Sequence, residues 1–160
     1  MDEKVLKGLP QYMADPVMIL KGSKPNSYLF VLEAKNKTDA TIVAPVEISK
    51  EDEKYGVIDV LNSVYPKDGA DGIPVFDGIA KSIENRDVLY INKNKADLMV
   101  EAYRRYLPSV LRLEVALSDF IVSDDYAKVK NENDLENAKK RIRGCIRWQV
   151  YGQKMPHWNL

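Results

Sequence analysis

A chain of 160 residues, 45% hydrophobic and 30% charged, has the bulk of one globular domain with room for a terminal appendage. Lysine plus arginine (24) equals aspartate plus glutamate (24), so net charge gives no argument for nucleic acid, membrane or acidic partner. A single cysteine, Cys145, and a single histidine, His157, exclude an intramolecular disulfide, a cysteine-based zinc site within one chain and any histidine pair.

In chain order, residues 1–15 read as a short amphipathic or irregular segment in which Leu9, Tyr12 and Met13 pack. Pro16 biases Asp15 toward an extended backbone, so Val17–Leu20 (VMIL) is expected as a strand. KGSKPNS follows with turn chemistry throughout. Ser27–Ala34 (SYLFVLEA) and Ala40–Ile48 (ATIVAPVEI) are rich in β-branched and aromatic residues, and KNKTD between them predicts a hairpin. Pro45 cannot donate to a ladder, which predicts an edge or a bulge for its strand. SKEDEKYG is expected as a solvated connection or a short helical turn.

Val57–Lys67 (VIDVLNSVYPK) alternates Ile58, Val60 and Val64 with Asp59, Ser63 and Tyr65, which predicts a central strand with one presented face. It breaks at Pro66 into the turn-forming run KDGADGIP. Phe76–Asn85 suggests a short helix weakened by Gly78. Asp87–Asn92 predicts a strand with Val88 and Tyr90 on one face and Leu89 and Ile91 on the other. Lys93–Tyr106 predicts a helix packed through Ala96, Met99, Val100 and Tyr103. Residues 109–130 fit either a strand or a helix.

Asn133 and Glu136 have the spacing of a capping box, and Leu135, Ala138, Ile142, Cys145, Ile146 and Val150 follow at helical spacing. A helix from Asp134 to about Tyr151 is therefore expected. The fold class is α+β, with an antiparallel sheet of about four to five strands packed on helices. Residues 1–130 are expected to form the domain, and 131–160 a basic amphipathic helix and tail upon it.

The chemistry is local. Ser63 and Tyr65 stand side by side on the predicted strand with Lys67 just past its end, although exposed hydroxyls are ordinarily only solvated. Lys140, Arg143, Arg147, Tyr151 and Lys154 fall on one helical face, a pattern that grips phosphates and stacks bases, or serves as a solvated face. Tyr103–Tyr106 (YRRY) is a second basic, aromatic cluster, for which the helix dipole alone is a sufficient account. His157 lies within the final four residues of the sequence and Cys145 on an apolar stripe, so neither is assigned catalysis. The sequence contains no Walker A loop, dinucleotide fingerprint, HExxH or GxSxG, and no cofactor or metal is expected. No apolar run is long enough for a bilayer and MDEKVLKGLP lacks signal-peptide form, so no membrane association and a cytosolic setting, of a cell or of a host, are expected.

The succession LPQYMADPVMIL, SYLFVLEAKNKTDATIVAPVEI, VLNSVYPKDG, DVLYINKNKADLM and KNENDLENA resembles domains of phage head-morphogenesis and large polyvalent proteins of mobile elements. Those domains are grouped with the barnase/EndoU/colicin/RelE-like (BECR-fold) nucleases, and the resemblance spans roughly residues 9–137. It implies a curved antiparallel sheet on one or two helices and metal-independent cleavage of host RNA by attack of a 2′-hydroxyl on its phosphate. The residues it points to are Ser63, Tyr65 and Lys67 for catalysis, with Tyr90, Lys93, Lys140, Arg143, Arg147 and Tyr151 binding substrate. The matched region carries no histidine, so a histidine mechanism does not transfer. The rival expectation is an inert phage-derived protein that binds and inhibits a host defence factor; the partner is then a host protein rather than RNA.

Overall fold

Strands that are apolar at consecutive positions must be covered on both faces. A computed structural model of the chain describes residues 3–35, 41–52, 56–61, 65–66, 76–107, 110–131, 135, 145–146, 149–150, 153–154 and 158–159. It shows that two-sided burial. Helix α1 (Glu3–Ala14) leads into strand β1 (Met18–Lys21), the hairpin β2 (Ser27–Lys35) and β3 (Thr41–Asp52), and then β4 (Gly56–Leu61) and β5 (Tyr65–Pro66). Helix α2 (Asp77–Glu84), strand β6 (Val88–Ile91), helix α3 (Lys93–Tyr103) with a 3-10 turn at Arg104–Tyr106, α4 (Leu111–Ile121) and α5 (Asp124–Ala127) follow. The sheet runs β4-β3-β2-β1-β6, with β5 also on β3, and every pairing is antiparallel. The fold class is α+β, as expected.

Register divides the sheet residues between two cores. Val43 pairs with Val31, Val31 with Met18 and Met18 with Ile91; this row packs with α2, α3 and α4. The adjacent row, Ala44–Phe30–Ile19–Tyr90, packs with Val5, Leu9 and Met13 of α1. Those three α1 residues recur every four positions, which places them on one helical face. Their burial holds the helix despite Pro10 within it. Each fully buried side chain of this size contributes roughly 1.5–3 kcal/mol.

Several expectations are corrected. In β6, Ile19 pairs with Tyr90 but Leu20 with Val88, so Leu89 is an extra residue. That bulge turns Val88 and Ile91 to one core and Leu89 and Tyr90 to the other, in place of simple alternation. Pro45 lies within an interior strand, yet β5 pairs at Ile42 and Val43 and β4 from Val46 onward, so Pro45 falls between the two pairings. SKEDEKYG is extended at its start, because β3 continues to Asp52. The ambiguous stretch is helical: Leu113, Ala116, Leu117 and Phe120 are buried at helical spacing, while Leu111 and Val115 face outward.

At the C-terminal end, Leu135 packs into the α1 core, and residues 136–144 lie outside the described residues. The described residues beyond them are short strands: Cys145–Ile146 (β7) pairs with Trp158–Asn159 (β10), and Gln149–Val150 (β8) with Gln153–Lys154 (β9). The expected helix therefore does not run to Tyr151. Gly144 disfavours helix, and Ile146, Trp148, Val150 and Tyr151 are all strand formers.

Polar ties join the layers. Thr41, 2% exposed, donates its hydroxyl to the buried Tyr103 oxygen at 2.9 Å, and the Tyr103 ring packs on Phe76 at 4.9 Å. The Lys95 ammonium donates to Asp15 at 2.9 Å and lies 2.8 Å from Glu33, linking α3 to the start of β1 and to β2. Arg112 on α4 grips both carboxylate oxygens of Glu84 on α2, at 2.9 and 2.8 Å. That hydrogen-bonded guanidinium holds the Glu84 carboxyl below its ordinary range. Arg86 follows α2 with φ 63° and stacks over Phe120, a left-handed cap where glycine is usual.

Tyr103→Phe should destabilise by about 1–3 kcal/mol by stranding the Thr41 hydroxyl, and Thr41→Val/Tyr103→Phe should cost less than the sum of the single changes, read by urea denaturation. Burial of Lys95 opposes its charge, but hydrogen bonds to Glu33 and Asp15 outweigh it and raise its pKa. A raised lysine contributes stability fully below its unfolded pKa and loses it as pH rises through the folded value. Lys95→Met should therefore cost about 1 kcal/mol at neutral pH, with the deficit against wild type closing above the ordinary lysine range in thermal melts.

Candidate functional site: the cleft between α2 and the sheet end

β1 and β2 are joined by a turn that forces a close backbone approach. The Gly22 amide donates to the Ser27 carbonyl at 2.8 Å, and the Ser27 hydroxyl donates to the Lys24 carbonyl at 2.8 Å while accepting from the Lys24 amide at 3.1 Å. Asn26 takes the left-handed conformation that closes the turn, with φ 58°. The packing leaves no room for a side chain at Gly22, whose Cβ would meet the Ser27 Oγ at 2.1 Å and the Ser27 backbone carbon at 2.9 Å.

The turn borders a cleft of about 290 Å³ between α2 and the sheet. Leu29 and Pro45, paired across β2 and β3, line its sheet side; Ile79 and Ser82 line it from α2. Among its described lining residues, Lys24 and Glu47 supply charge on the side facing α2, whereas Lys21 pairs with Tyr28 in the row turned toward α1. Lys24 and Glu47 approach to 3.4 Å, with the Glu47 side chain 17% exposed and that of Lys24 73% exposed. Lys21 is exposed and has no carboxylate partner among the described residues.

The register ties this cleft to the stretch singled out in the sequence. Leu61 ends β4 opposite Val46, which lines the cleft, and β5 begins with Tyr65 opposite Val43. Ser63 and Lys67 lie outside the described residues; of Tyr65 the structure describes the backbone. Val57–Tyr65 is not a central strand. Its two described pieces, β4 and β5, both pair with the side of β3 turned away from β2, which is the edge where Pro66 is tolerated.

The other predicted binding residues lie elsewhere. Tyr90 is 3% exposed and belongs to the α1 core. It is separated from Tyr65 by four strand spacings across the order β5-β3-β2-β1-β6, roughly 19 Å at about 4.8 Å each. Lys93 is exposed at the first turn of α3, where a hydrogen bond to Asp97 holds its pKa above the ordinary range. Lys140, Arg143, Arg147 and Tyr151 lie outside the described residues, although β8, between the last two of them, approaches β4. In the YRRY cluster Tyr103 is buried, Arg104 pairs with Glu101 and Glu114, and Arg105 stacks on Tyr106, so the cluster serves packing. Sequence reasoning missed Lys21, Lys24 and Glu47. The available signal was a pair of lysines flanking a Gly-Ser turn, opposite a glutamate on the paired strand.

A two-faced α+β sheet with a charged cleft at one end thus defines the class. The chain belongs to the phage MuF C-terminal domain family, whose model matches residues 1–98. The match takes in α1, the whole sheet, α2 and the first half of α3, and ends before α4. It agrees with the likeness to phage head-morphogenesis proteins carried by the sequence. No curated protein and no solved structure matches the chain. Among the described residues no helix is long and apolar enough to cross a membrane.

Gly22→Ala should destabilise the protein by about 1–3 kcal/mol, since backbone as well as side chain must move to admit the new methyl group. The denaturation midpoint in urea reads the loss, and removal of the Ser27 hydroxyl in the same chain should restore only part of it.

Proposed function

We propose that this phage-type domain is an RNase-like protein that cleaves host RNA without a metal, with its substrate lying across the α2–sheet cleft and the adjoining β3 edge. The observation that carries the reading is the register: Leu61 and Tyr65, the described neighbours of Ser63, pair with Val46 and Val43 beside a cleft lined by Lys24 and Glu47. Cleavage requires a base for the 2′-hydroxyl proton, cations for the phosphate and an acid for the leaving oxygen. In this reading the 2′-oxygen attacks phosphorus, its proton passes to Glu47, and the P–O5′ bond breaks as the 5′-oxygen takes a proton from Tyr65 or Lys67. The products are a 2′,3′-cyclic phosphate and a 5′-hydroxyl. Glu47 suits the first role because a carboxylate is ionised at neutral pH, and tyrosine and lysine suit the last because both carry a proton there. Ser63 hydrogen-bonds the phosphate, and Lys140, Arg143, Arg147 and Tyr151 extend the grip along the strand. Tyr90, buried, and Lys93, paired with Asp97, drop to supporting roles.

A second reading, an inert protein that binds and inhibits a host defence factor, has one observation of its own. Leu107, Leu111 and Val115 follow at intervals of four and are each more than half exposed, on a part of the chain beyond the family match. The two readings separate in one assay. Purified protein incubated with total RNA and a transfer-RNA pool in EDTA should yield fragments ending in cyclic phosphate. Ser63→Ala, Tyr65→Phe, Lys67→Ala and Glu47→Gln should each lower the rate by about 10²-fold or more. Absence of cleavage by folded wild-type protein would reject the nuclease, and a Leu111→Asp/Val115→Asp variant that loses capture of a host factor would support the inhibitor.

A further inference from the structure

We infer that a second groove, between helix α3 and the other end of the sheet, binds a small organic ammonium ion, with its apolar body inside and its charged head at Glu33. The groove has a volume of about 220 Å³. An engineered apolar cavity of about 150 Å³ holds benzene, so one aromatic ring with a short tail fits here. Lys95, Leu98, Met99, Ala102 and Tyr103 recur at three- and four-residue spacing, which sets them on one side of α3, and all five line the groove. Val17, Glu33 and Thr41 line it from the sheet. Leu98, Met99, Ala102 and the Tyr103 ring make the helix wall apolar beyond Lys95, and the buried Thr41 hydroxyl already donates its proton to Tyr103.

The rim decides the sign of the ligand. An ammonium group has three protons to donate. Those of Lys95 meet the Asp15 carbonyl and Oδ2, each at 2.9 Å, and Glu33 Oε2 at 2.8 Å, so none is left for an incoming anion. The Glu33 side chain is 55% exposed, and its second oxygen, Oε1, has no donor among the described residues. Among those residues two carboxylates face one ammonium at the rim, an arrangement that attracts a cation and repels an anion. The ligand's ammonium therefore belongs at Glu33, and its ring against Val17, Leu98, Met99 and Tyr103. The groove lies at the far end of the same strands from Lys24 and Glu47, so the inference goes beyond the nuclease reading and does not rest on it.

The test is a titration of the full-length, isotope-labelled protein, followed by amide and methyl NMR, with four probes at low salt. These are 2-phenylethylammonium, 2-phenylethanol, 3-phenylpropionate and ethylammonium. The first should bind most tightly and shift Val17, Glu33, Leu98 and Met99. The alcohol should bind roughly two- to fivefold more weakly, the carboxylate more weakly still, and ethylammonium, which has no ring to bury, least of all. Salt should weaken the phenylethylammonium complex and leave that of the alcohol unchanged. Glu33→Gln should bring the ammonium down to the level of the alcohol. Lys95→Met, which leaves both carboxylates without their cation, should tighten it by roughly the same two- to fivefold factor. Ala102 is exposed, so Ala102→Leu should fill the groove and abolish binding without disturbing the fold.

Equal affinity for the ammonium and the alcohol, or weaker binding of the ammonium by Lys95→Met, would overturn the charge assignment. Equal affinity for ethylammonium and phenylethylammonium would overturn the apolar one. Shifts confined to other parts of the chain, or binding unchanged in Ala102→Leu, would overturn the site itself. Failure here is separable from failure of the nuclease reading, because the titration reads binding at α3 and the RNA assay reads cleavage at the opposite end of the sheet.

Discussion

Cross-strand register is the constraint on which the rest of this structure depends. Because β1, β2 and β3 are apolar at consecutive positions, neither face can be left to water. One row, Val43–Val31–Met18–Ile91, faces α2, α3 and α4, and the next, Ala44–Phe30–Ile19–Tyr90, faces α1. A shift of one residue in any pairing would exchange these rows. The bulge at Leu89 keeps both Val88 and Ile91 with the α2 side, and with them the packing of α3 and α4.

The same register positions the cleft. Leu29 and Pro45 are opposite one another, and Ser27 is opposite Glu47, so the end of the β2–β3 hairpin sets a carboxylate beside the Gly22–Ser27 turn. Helix α2 covers the sheet through Ile79, Ala80 and Ile83 and stops short of covering this end. Arg112 and Arg86 hold α2 to the following helices, which fixes the far wall independently of the turn.

Much of this was legible in the residues. VMIL, SYLFVL and TIVAPV read as strands because β-branched and aromatic residues dominate them, and α2 and α3 followed from helical spacing. The bulge at Leu89 was hidden, since an extra residue leaves no mark on composition. The α4 stretch was ambiguous because Leu111, Leu113, Val115 and Leu117 alternate while Leu113, Ala116, Leu117 and Phe120 keep helical period; packing against α2 selects the second. The strand pieces after Gly144 went unread because apolar spacing there fits a helix, whereas Gly144 and the β-formers beyond it favour extension.

The candidate site was legible in part. VIDVLNSVYPK drew attention through Ser63 and Tyr65, and the β3 edge it pairs with does run beside a cleft. Lys21, Lys24 and Glu47 were passed over because KGSKPNS reads as turn chemistry alone, and only the hairpin register brings Glu47 back to it. Tyr90 stood out as an aromatic on a strand, yet its row belongs to the α1 core. The most direct measurement is photo-cross-linking of the full-length protein to RNA carrying 2′-deoxy-4-thiouridine, which lacks the attacking hydroxyl at the labelled position and so stays intact there. Cross-linked peptides from the β1–β2 turn, from β3 around Pro45 and from residues 61–67 are the predicted result. Cross-links concentrated on α4, or none at a concentration where the protein holds RNA, would contradict the account.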